Sequence, residues 1–279
     1  MTNPSPRSAA LQLSPAVYIV GAGPGDPELL TVKAQRILSL ADVIIFADSL
    51  IPLAILEGVR PDAEVIPTGS KTLEEIMPLM IDRVRSHHSV VRLHSGDLTL
   101  YSTIHEQIHA LLEANIPFEL IPGISAFQAA AAKLGVELTV PGVVQSIILT
   151  RMSGRASAVP ATEELASLAA HQASLCLYLS ASHVAAAQEK LLEHYAPDTP
   201  IAICFCLGWP EEQIWQGALM EMAEITTREN FTRNTIYIIS PALREKNNKW
   251  DSNLTVTRSK LYHPDHHHSF RPTNAPAKE

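Results

Sequence analysis

The chain has 279 residues, of which 46% are apolar and 18% are charged, enough to bury a core in one or two domains. Its formal net charge of −8 argues against binding to nucleic acid, which depends on Lys and Arg to neutralise phosphates. No apolar run approaches the roughly 20 residues of a membrane span, and three cysteines are too few for a disulfide framework. We therefore expect a cytoplasmic protein that binds neither nucleic acid nor membranes.

The first half of the chain alternates predicted strands with predicted helices, after a leader, residues 1–15, that is predicted to be disordered. Short apolar runs predict strands at 17–20, 43–47, 89–93 and 118–121. One helix is predicted at 32–40, with Thr31 as its N-cap and an apolar face formed by Ala34, Ile37, Leu38 and Ala41. Another is predicted to begin with a capping box of Thr103 and Glu106 and to carry an apolar stripe of Ile104, Ile108, Leu111 and Leu112.

The second half of the chain repeats this pattern. Helices are predicted at 126–134, at 163–170 and before the strand at 201–205, and the other strands at 146–149, 175–179 and 235–240. The alternation predicts an α/β fold of two domains, 16–122 and 123–245, with mainly parallel sheets. Residues 246–279 are polar and are predicted to be a flexible tail, so the histidines at 263 and 266–268 are not interpreted as a metal site.

A glycine-rich turn, residues 21–27, directly follows the first predicted strand. A dinucleotide site would need the pattern G-x-G-x-x-G at the start of a helix, so that backbone amides face a pyrophosphate. Here Asp26 replaces the last glycine and brings a carboxylate to the phosphate position, while Pro24 and Pro27 remove two backbone donors. The turn argues against a nicotinamide cofactor, but it lies at the carboxyl end of a strand, where ligands bind.

Two further turns follow predicted strands. Ser95-Gly96-Asp97 permits close approach of the backbone, and Asp97 either accepts hydrogen bonds from a ligand or caps the turn. Pro122-Gly123-Ile124-Ser125 precedes a predicted helix, which Ser125 is placed to cap. Three such turns, without a P-loop or a nucleophile elbow, favour a neutral or cationic ligand over a triphosphate or an acyl-enzyme.

An ordered series of motifs resembles the tetrapyrrole methylases, the class III fold of S-adenosylmethionine-dependent methyltransferases. The series spans residues 17–243 and consists of the turn at 21–26, Ala41-Asp42-Val43, Gly96-Asp97 with Tyr101, the turn at 122–125, Thr150-Arg151 with Gly154-Arg155, and Gly208-Trp209-Pro210. Within the family, residues 46–50, 150–155 and 209–212 most resemble the precorrin-4 C11-methyltransferases. The chain departs from the family's usual Pro, Gly, Ala and Glu at Leu98, Ser102, Met152 and Ser153, which bears on substrate preference more than on cofactor binding.

The resemblance implies two α/β domains with S-adenosylmethionine bound in the cleft between them, and a homodimer. By motif position, the cofactor-binding residues would be Pro24, Ser95, Gly96, Asp97, Leu100, Tyr101, Ser125, Ala126, Leu179, Gly208, Asn234, Thr235 and Ile236. Asp48 lies where relatives carry a carboxylate proposed as a base, so it is the candidate catalytic residue. Its alternative role is that of a helix-cap or turn residue.

The substrate implied by the resemblance is an acidic tetrapyrrole, rich in acetate and propionate groups. A chain with a net charge of −8 must gather cations locally to bind it, and arginine pairs with carboxylates bidentately. The candidate substrate-binding residues are Lys71, Arg92, Arg151 and Arg155, with His94 and His105 as weaker candidates. Each of these side chains is alternatively a solvated surface charge.

Rival functions stay open at this point. Within the family, the chain could be a uroporphyrinogen-III C-methyltransferase or a methyltransferase for C20 or C17 of a precorrin. Outside the family, the alternatives are a Rossmann-type oxidoreductase, which Asp26 disfavours, and a ligand-binding module without turnover.

Overall fold

A computed structural model of the chain describes residues 12–153, 158–243 and 266. Most of the predicted leader, Arg155 and the predicted tail apart from His266 lie outside the described residues. The described residues divide into two compact units. The first is drawn from Met1–Leu134, Cys204–Ile214 and Phe231–Ile236, and the second from Gly135–Ile203, Trp215–Asn230 and Tyr237–Glu279. The domain boundary at residue 122 stays a prediction.

The first sheet has five strands: β1 (Val17–Gly21), β2 (Val43–Phe46), β3 (Glu64–Pro67), β4 (Val90–His94) and β5 (Phe118–Ile121). Their order across the sheet is β3-β2-β4-β1-β5, and every neighbouring pair is parallel. The predicted parallel α/β sheet is therefore confirmed for this part of the chain. Strand β3 was not predicted, because an edge strand with exposed Glu64 and Val65 and a terminal proline lacks the apolar run of a buried strand.

Four helices accompany this sheet: α1 (Val32–Leu40), α2 (Leu73–Arg85), α3 (Ile104–Glu113) and α4 (Ala126–Leu134). The prediction for α1 is confirmed in detail, because Thr31 Oγ1 accepts the Ala34 N–H at 3.1 Å and the predicted apolar face is buried. Helix α2 was not predicted. It contains Pro78, which removes a backbone donor from a helix interior and is typical of helix ends.

The predicted start of α3 is confirmed, since Thr103 directly precedes Ile104, but the predicted capping box is wrong. Thr103 adopts a left-handed conformation with φ 54°, and its hydroxyl donates to the Ser102 carbonyl at 2.7 Å and does not cap the helix. The predicted stripe is also wrong at Leu112, which is 61% exposed. Gln107 is buried in its place, since positions 104, 107, 108 and 111 share one face of a helix with 3.6 residues per turn.

The two faces of the first sheet pack against different helices. Tyr18 and Val20 of β1 point to the face that packs with Ile37 and Leu38 of α1. Val17 and Ile19 point to the opposite face, whose cluster includes the apolar side chains of α2 and α3. This alternation follows from the period of two along a strand.

The second sheet contains β6 (Ile147–Arg151), β7 (Ser174–Tyr178), β8 (Pro200–Phe205), β9 (Gln213–Ala218) and β10 (Thr235–Ile239), in the order β6-β7-β10-β8-β9. Strands β6 and β7 are parallel, but β7 and β10 are antiparallel, so this sheet is mixed. The helices of this part are α5 (Leu165–Ala169), α6 (Val184–Leu192) and α7 (Met222–Arg228). Among the described residues, no helix is both long enough and apolar enough to cross a membrane.

Asp42 joins the amino ends of β2 and β4. Its Oδ2 accepts hydrogen bonds from the Ser89 amide at 2.8 Å and from the Ser89 hydroxyl at 2.7 Å, and Arg60 Nη1 lies 3.2 Å from its Oδ1. Partial burial acts to raise the pKa of Asp42, but the hydrogen bonds from Ser89 and the charge of Arg60 outweigh it, so this pKa is lowered. The carboxylate is therefore charged at neutral pH and stabilises the folded sheet.

Replacing Asp42 by Asn should lower the free energy of unfolding by about 1.5–3 kcal/mol at neutral pH, since a hydrogen-bonded charge is lost. The folded-state pKa is below the unfolded value, so the contribution of Asp42 is complete above about pH 4 and is lost as the pH falls further. Urea unfolding of both proteins at neutral and at acid pH measures this, with the exposed Asp82→Asn as the control. An Asp42→Asn effect that stays constant into acid would contradict this role.

Candidate active site

The predicted turns lie together at one edge of the first sheet. Residues 22–27 follow β1, Ala47 and Asp48 follow β2, residues 95–97 follow β4, and residues 122–125 follow β5. Because these strands are parallel, all four turns lie at the carboxyl edge of the sheet, where open α/β sheets bind their ligands.

Three of these turns touch one another through their backbones. Gly23 and Gly96 exchange two hydrogen bonds, at 3.1 and 2.7 Å, and the Ala22 N–H donates to the His94 carbonyl at 2.8 Å. A Cβ atom on Gly21 would lie 2.6 Å from the Gly123 nitrogen, and one on Gly123 would lie 2.4 Å from the Gly96 oxygen. Glycine is therefore required at Gly21 and Gly123 by the mutual approach of the turns.

Asp97 ties the second turn to the third. Its Oδ1 accepts the Thr99 N–H at 2.9 Å and also the Thr99 hydroxyl, while its Oδ2 accepts the Gly123 N–H at 3.0 Å. Burial acts to raise the pKa of Asp97, but the hydrogen bonds from Thr99, Gly123 and Leu98 outweigh it and lower this pKa. The structure therefore shows that the Asp97 carboxylate joins these turns, and its contact with a ligand stays a prediction.

The glycine-rich turn is not built like a dinucleotide site. Asp26 Oδ1 accepts the Glu28 N–H at 2.9 Å and caps a short 3₁₀ turn, Pro27–Leu29. Helix α1 begins only at Val32, so no α-helix opens at the turn itself. A carboxylate, and not a free amide, lies at the start of this 3₁₀ turn, which agrees with the argument against a nicotinamide cofactor.

The segment that follows β8 packs against the glycine-rich turn. Gly208 has φ +76°, and a Cβ atom there would lie 2.3 Å from the Asp26 nitrogen. A Cβ on Gly25 would lie 2.5 Å from Cδ1 of Trp209. Glu212 holds the segment in place, since its Oε2 accepts the Gly208 N–H at 2.7 Å and its Oε1 lies 3.0 Å from Lys133 Nζ. Gly208 is thus a close neighbour of the first turn, and so is Trp209, which was not among the predicted site residues.

The other predicted cofactor residues of the first unit lie near strand ends. Pro24 and Ser125 are buried, Leu100 is half-buried, and the Ser125 N–H donates to Gln128 Oε1 at 2.9 Å. The Asn234 carbonyl accepts the Cys206 N–H at 2.9 Å, which joins the segment after β8 to the residue before β10. Thr235 and Ile236, the first residues of β10, are buried.

Several predicted residues have a strained backbone. Tyr101, Leu179 and Asn234 have φ values of 56°, 52° and 59°, in the left-handed region that favours glycine. Leu179, which belongs to the second unit and follows β7, is also 65% exposed, although it is a large apolar side chain. Such conformations cost free energy and cluster at ligand sites. Cys206, with φ 49°, shares this property and was not predicted.

The candidate base lies beside a segment that was not predicted. Asp48 is exposed, and its Oδ1 accepts the Gly69 N–H at 2.6 Å. Gly69 and the exposed Lys71 belong to the loop after β3, the strand that the sequence analysis missed. Asp48 and Lys71 are thus brought to the same part of the carboxyl edge.

The other candidate cations differ in their surroundings. Arg92 is 7% exposed and its Nη1 donates to Thr68 Oγ1 at 3.1 Å; burial lowers the pKa of Arg92 to about 10, so it stays protonated at neutral pH. Burial, reinforced by the Arg92 charge, lowers the pKa of His94 to about 4, so this imidazole is neutral. Arg151 is half-buried in the second unit, and its Nη1 donates to the Met152 carbonyl at 3.2 Å. Arg155 lies outside the described residues.

Comparison with known proteins gives relatives over most of the chain. The chain is 40% identical to a precorrin-4 C(11)-methyltransferase of Pseudomonas aeruginosa, over 92% of this chain and 98% of that one. It is 39% identical to a cobalt-precorrin-4 C(11)-methyltransferase of Methanocaldococcus jannaschii, over 91% and 95%.

Solved structures give the same result. The crystal structure of a cobalt precorrin-4 methyltransferase, a cobalamin biosynthetic enzyme, matches with a TM-score of 0.78 and 35% identity, over 82% of this chain and 95% of that one. A uroporphyrin-III C-methyl transferase from Thermus thermophilus, complexed with S-adenosyl homocysteine, matches with a TM-score of 0.70 and 27% identity, over 82% and 99%. The model of the family described as Tetrapyrrole (Corrin/Porphyrin) Methylases matches residues 16–223. The chain belongs to the tetrapyrrole methylase family.

Proposed function

We propose that the chain is an S-adenosylmethionine-dependent C-methyltransferase of cobalamin biosynthesis that methylates C11 of precorrin-4 or cobalt-precorrin-4. The observation that carries this proposal is the identity of 40 and 39% to relatives of that name over nearly their whole length. The uroporphyrin-III C-methyl transferase of Thermus thermophilus is 27% identical, compared with 35% for the cobalt precorrin-4 methyltransferase of known structure. The C11 activity is therefore favoured over that of a uroporphyrinogen-III methyltransferase.

The turns of the first unit fit a cofactor without phosphates. Gly96 has φ +69°, and no heavy atom lies within 4 Å of the position of a Cβ there, so its backbone is open to a ligand. The proposed contacts in this unit are Pro24, Ser95, Gly96, Asp97, Leu100, Tyr101, Ser125, Ala126, Gly208, Asn234, Thr235 and Ile236. The exposed, strained Leu179 is the remaining proposed contact. S-adenosylmethionine supplies a methyl group that is already a strong electrophile on its sulfonium.

The residues of the chain would contribute mainly by positioning. Holding two reactants in near-attack geometry lowers a barrier by roughly 7–11 kcal/mol, whereas one acid or base contributes about 3–5 kcal/mol. The tetrapyrrole carbon is itself the nucleophile, so no nucleophilic side chain is needed. A proton must still leave the substrate, and we assign its acceptance to the carboxylate of Asp48, which is exposed at the carboxyl edge.

The acidic side chains of the substrate require cations, for which we propose Lys71, Arg151 and Arg155. Arg92 was predicted together with them, but its burial and its hydrogen bond to Thr68 favour a different role. The cytoplasmic location and the homodimer that the resemblance implies are part of the same proposal.

The position of methylation tests the proposed function. Purified protein incubated with S-adenosylmethionine and precorrin-4, in parallel with the cobalt form, should give a product heavier by one methyl group. NMR of a product made with a ¹³C-labelled methyl donor should locate that group on C11. Methylation at another ring carbon, or of uroporphyrinogen III in preference to precorrin-4, would show that a rival within the family is correct.

Removal of a proposed cation should weaken substrate binding. Arg151→Ala or Arg155→Ala should raise the apparent KM for the tetrapyrrole by about 10-fold or more, because each loses a charge-assisted hydrogen bond. The value of kcat should change less. Arg228→Ala is a suitable control, because this exposed arginine pairs only with Glu224 and Glu229 among the described residues. If both variants keep the wild-type KM, this assignment of the substrate carboxylates is wrong.

A further inference from the structure

Gly69 sets the position of the Asp48 carboxylate. Its N–H donates to Asp48 Oδ1 at 2.6 Å. A Cβ atom on Gly69 would lie 2.7 Å from the same oxygen and 3.2 Å from Asp48 Cγ. The carboxylate therefore occupies the space that any larger residue at this position would fill, and it receives a backbone donor from the same residue.

Thr68 fastens this glycine to the strand that leads to Asp48. The Thr68 N–H and hydroxyl both donate to the Phe46 carbonyl, at 2.9 and 3.0 Å. Thr68 is only 5% exposed, so this double hydrogen bond is shielded from water. Thr68 is therefore bonded to Phe46, at the end of β2, and Gly69 is bonded to Asp48, two residues later.

Arg92 also forms a hydrogen bond with Thr68. It lies on β4, opposite Ile45 of β2, and its Nη1 donates to the oxygen of the Thr68 hydroxyl at 3.1 Å. Among the described residues, no carboxylate forms an ion pair with Arg92, and its buried Nε has no hydrogen-bond partner. Burying a charge without a counter-ion is costly. The side-chain hydrogen bond of Arg92 is made to Thr68, the residue that precedes Gly69 and is bonded to Phe46.

We propose that Thr68 and Gly69 are positioning residues that hold the Asp48 carboxylate at the carboxyl edge of the sheet, and that Arg92 anchors Thr68. The inference rests on the proposed function, in which Asp48 accepts the proton. It assigns a role in the reaction to a loop that lies outside the motifs on which the resemblance was based. It also assigns to Arg92 a contact within the protein in place of one with the substrate.

Single-turnover methylation of precorrin-4, with both reactants saturating, tests this inference. The variants are Gly69→Ala, which displaces only the end of the Asp48 side chain, and Thr68→Val, which removes the hydroxyl but keeps the shape. Gly58→Ala is the matched control, because a Cβ there meets no atom within 4 Å. Thr68→Ser restores the hydroxyl. Thermal unfolding and titration with S-adenosylhomocysteine report whether each variant is folded and binds this product.

Gly69→Ala and Thr68→Val should lower the single-turnover rate constant on the order of 10- to 100-fold, since small displacements of a reacting group have effects of this size. Affinity for S-adenosylhomocysteine should be unchanged, Gly58→Ala should be as active as the wild type, and Thr68→Ser should recover most of the rate. In an Asp48→Asn background, both substitutions should change the rate by less than about 2-fold, because residues that act through one group are not additive.

Three outcomes would overturn the inference. If Asp48→Asn alone keeps the wild-type rate, Asp48 is not the proton acceptor. The proposed positioning role of Thr68 and Gly69 is then wrong as well. If Asp48→Asn is slow but Gly69→Ala and Thr68→Val are fast, the proposed role of Asp48 stands and the positioning role is wrong. If the two substitutions slow the reaction equally in both backgrounds, they act on the fold and not through Asp48.

Discussion

The mutual approach of three backbone turns, after β1, β4 and β5, is the constraint on which the rest of the site depends. It is possible because Gly21 and Gly123 lack side chains, and it is maintained because the Asp97 carboxylate accepts a hydrogen bond from the Gly123 amide. The parallel strands bring the turns to one edge, but they do not by themselves make them touch. The backbone contacts do so, and the same contacts leave Gly96 with open space beside it for a ligand.

This construction suits a methyl transfer from a sulfonium donor. Such a donor carries no phosphate, and in the glycine-rich turn the Asp26 carboxylate accepts the Glu28 amide. The reaction needs alignment more than it needs acid or base, which fits a site whose polar groups are mostly occupied with one another. Asp48 differs from Asp97 in this respect: it is exposed and its carboxylate accepts a hydrogen bond from the Gly69 amide, which fits its proposed role as the proton acceptor.

Local patterns were sufficient to predict the buried strands of the first sheet and helix α1, but not helix α2, whose interior contains Pro78. Apolar runs predict the strands of the first sheet other than β3, and the helical period predicts α1 with its Thr31 cap. Turn residues predict the three turns that follow β1, β4 and β5. Local sequence patterns did not predict the features that depend on contacts between residues far apart in the chain. An exposed edge strand has no apolar run, so β3 and the loop of Thr68 and Gly69 were missed, and with them the surroundings of Asp48. Thr103 has the residue type of a cap but a left-handed backbone, and Gly208 meets Asp26 across 182 positions of sequence that no local pattern connects.

Titration calorimetry with S-adenosylhomocysteine tests the central claim most directly, because it asks whether the glycine turns form a site for the adenosyl-sulfur compound without requiring the tetrapyrrole. Wild-type protein should bind it saturably, and Asp97→Asn, which loses the charge that joins two of the turns, should bind it more weakly. NADH should produce no saturable heat. An absence of measurable binding of S-adenosylhomocysteine to folded wild-type protein would contradict the account.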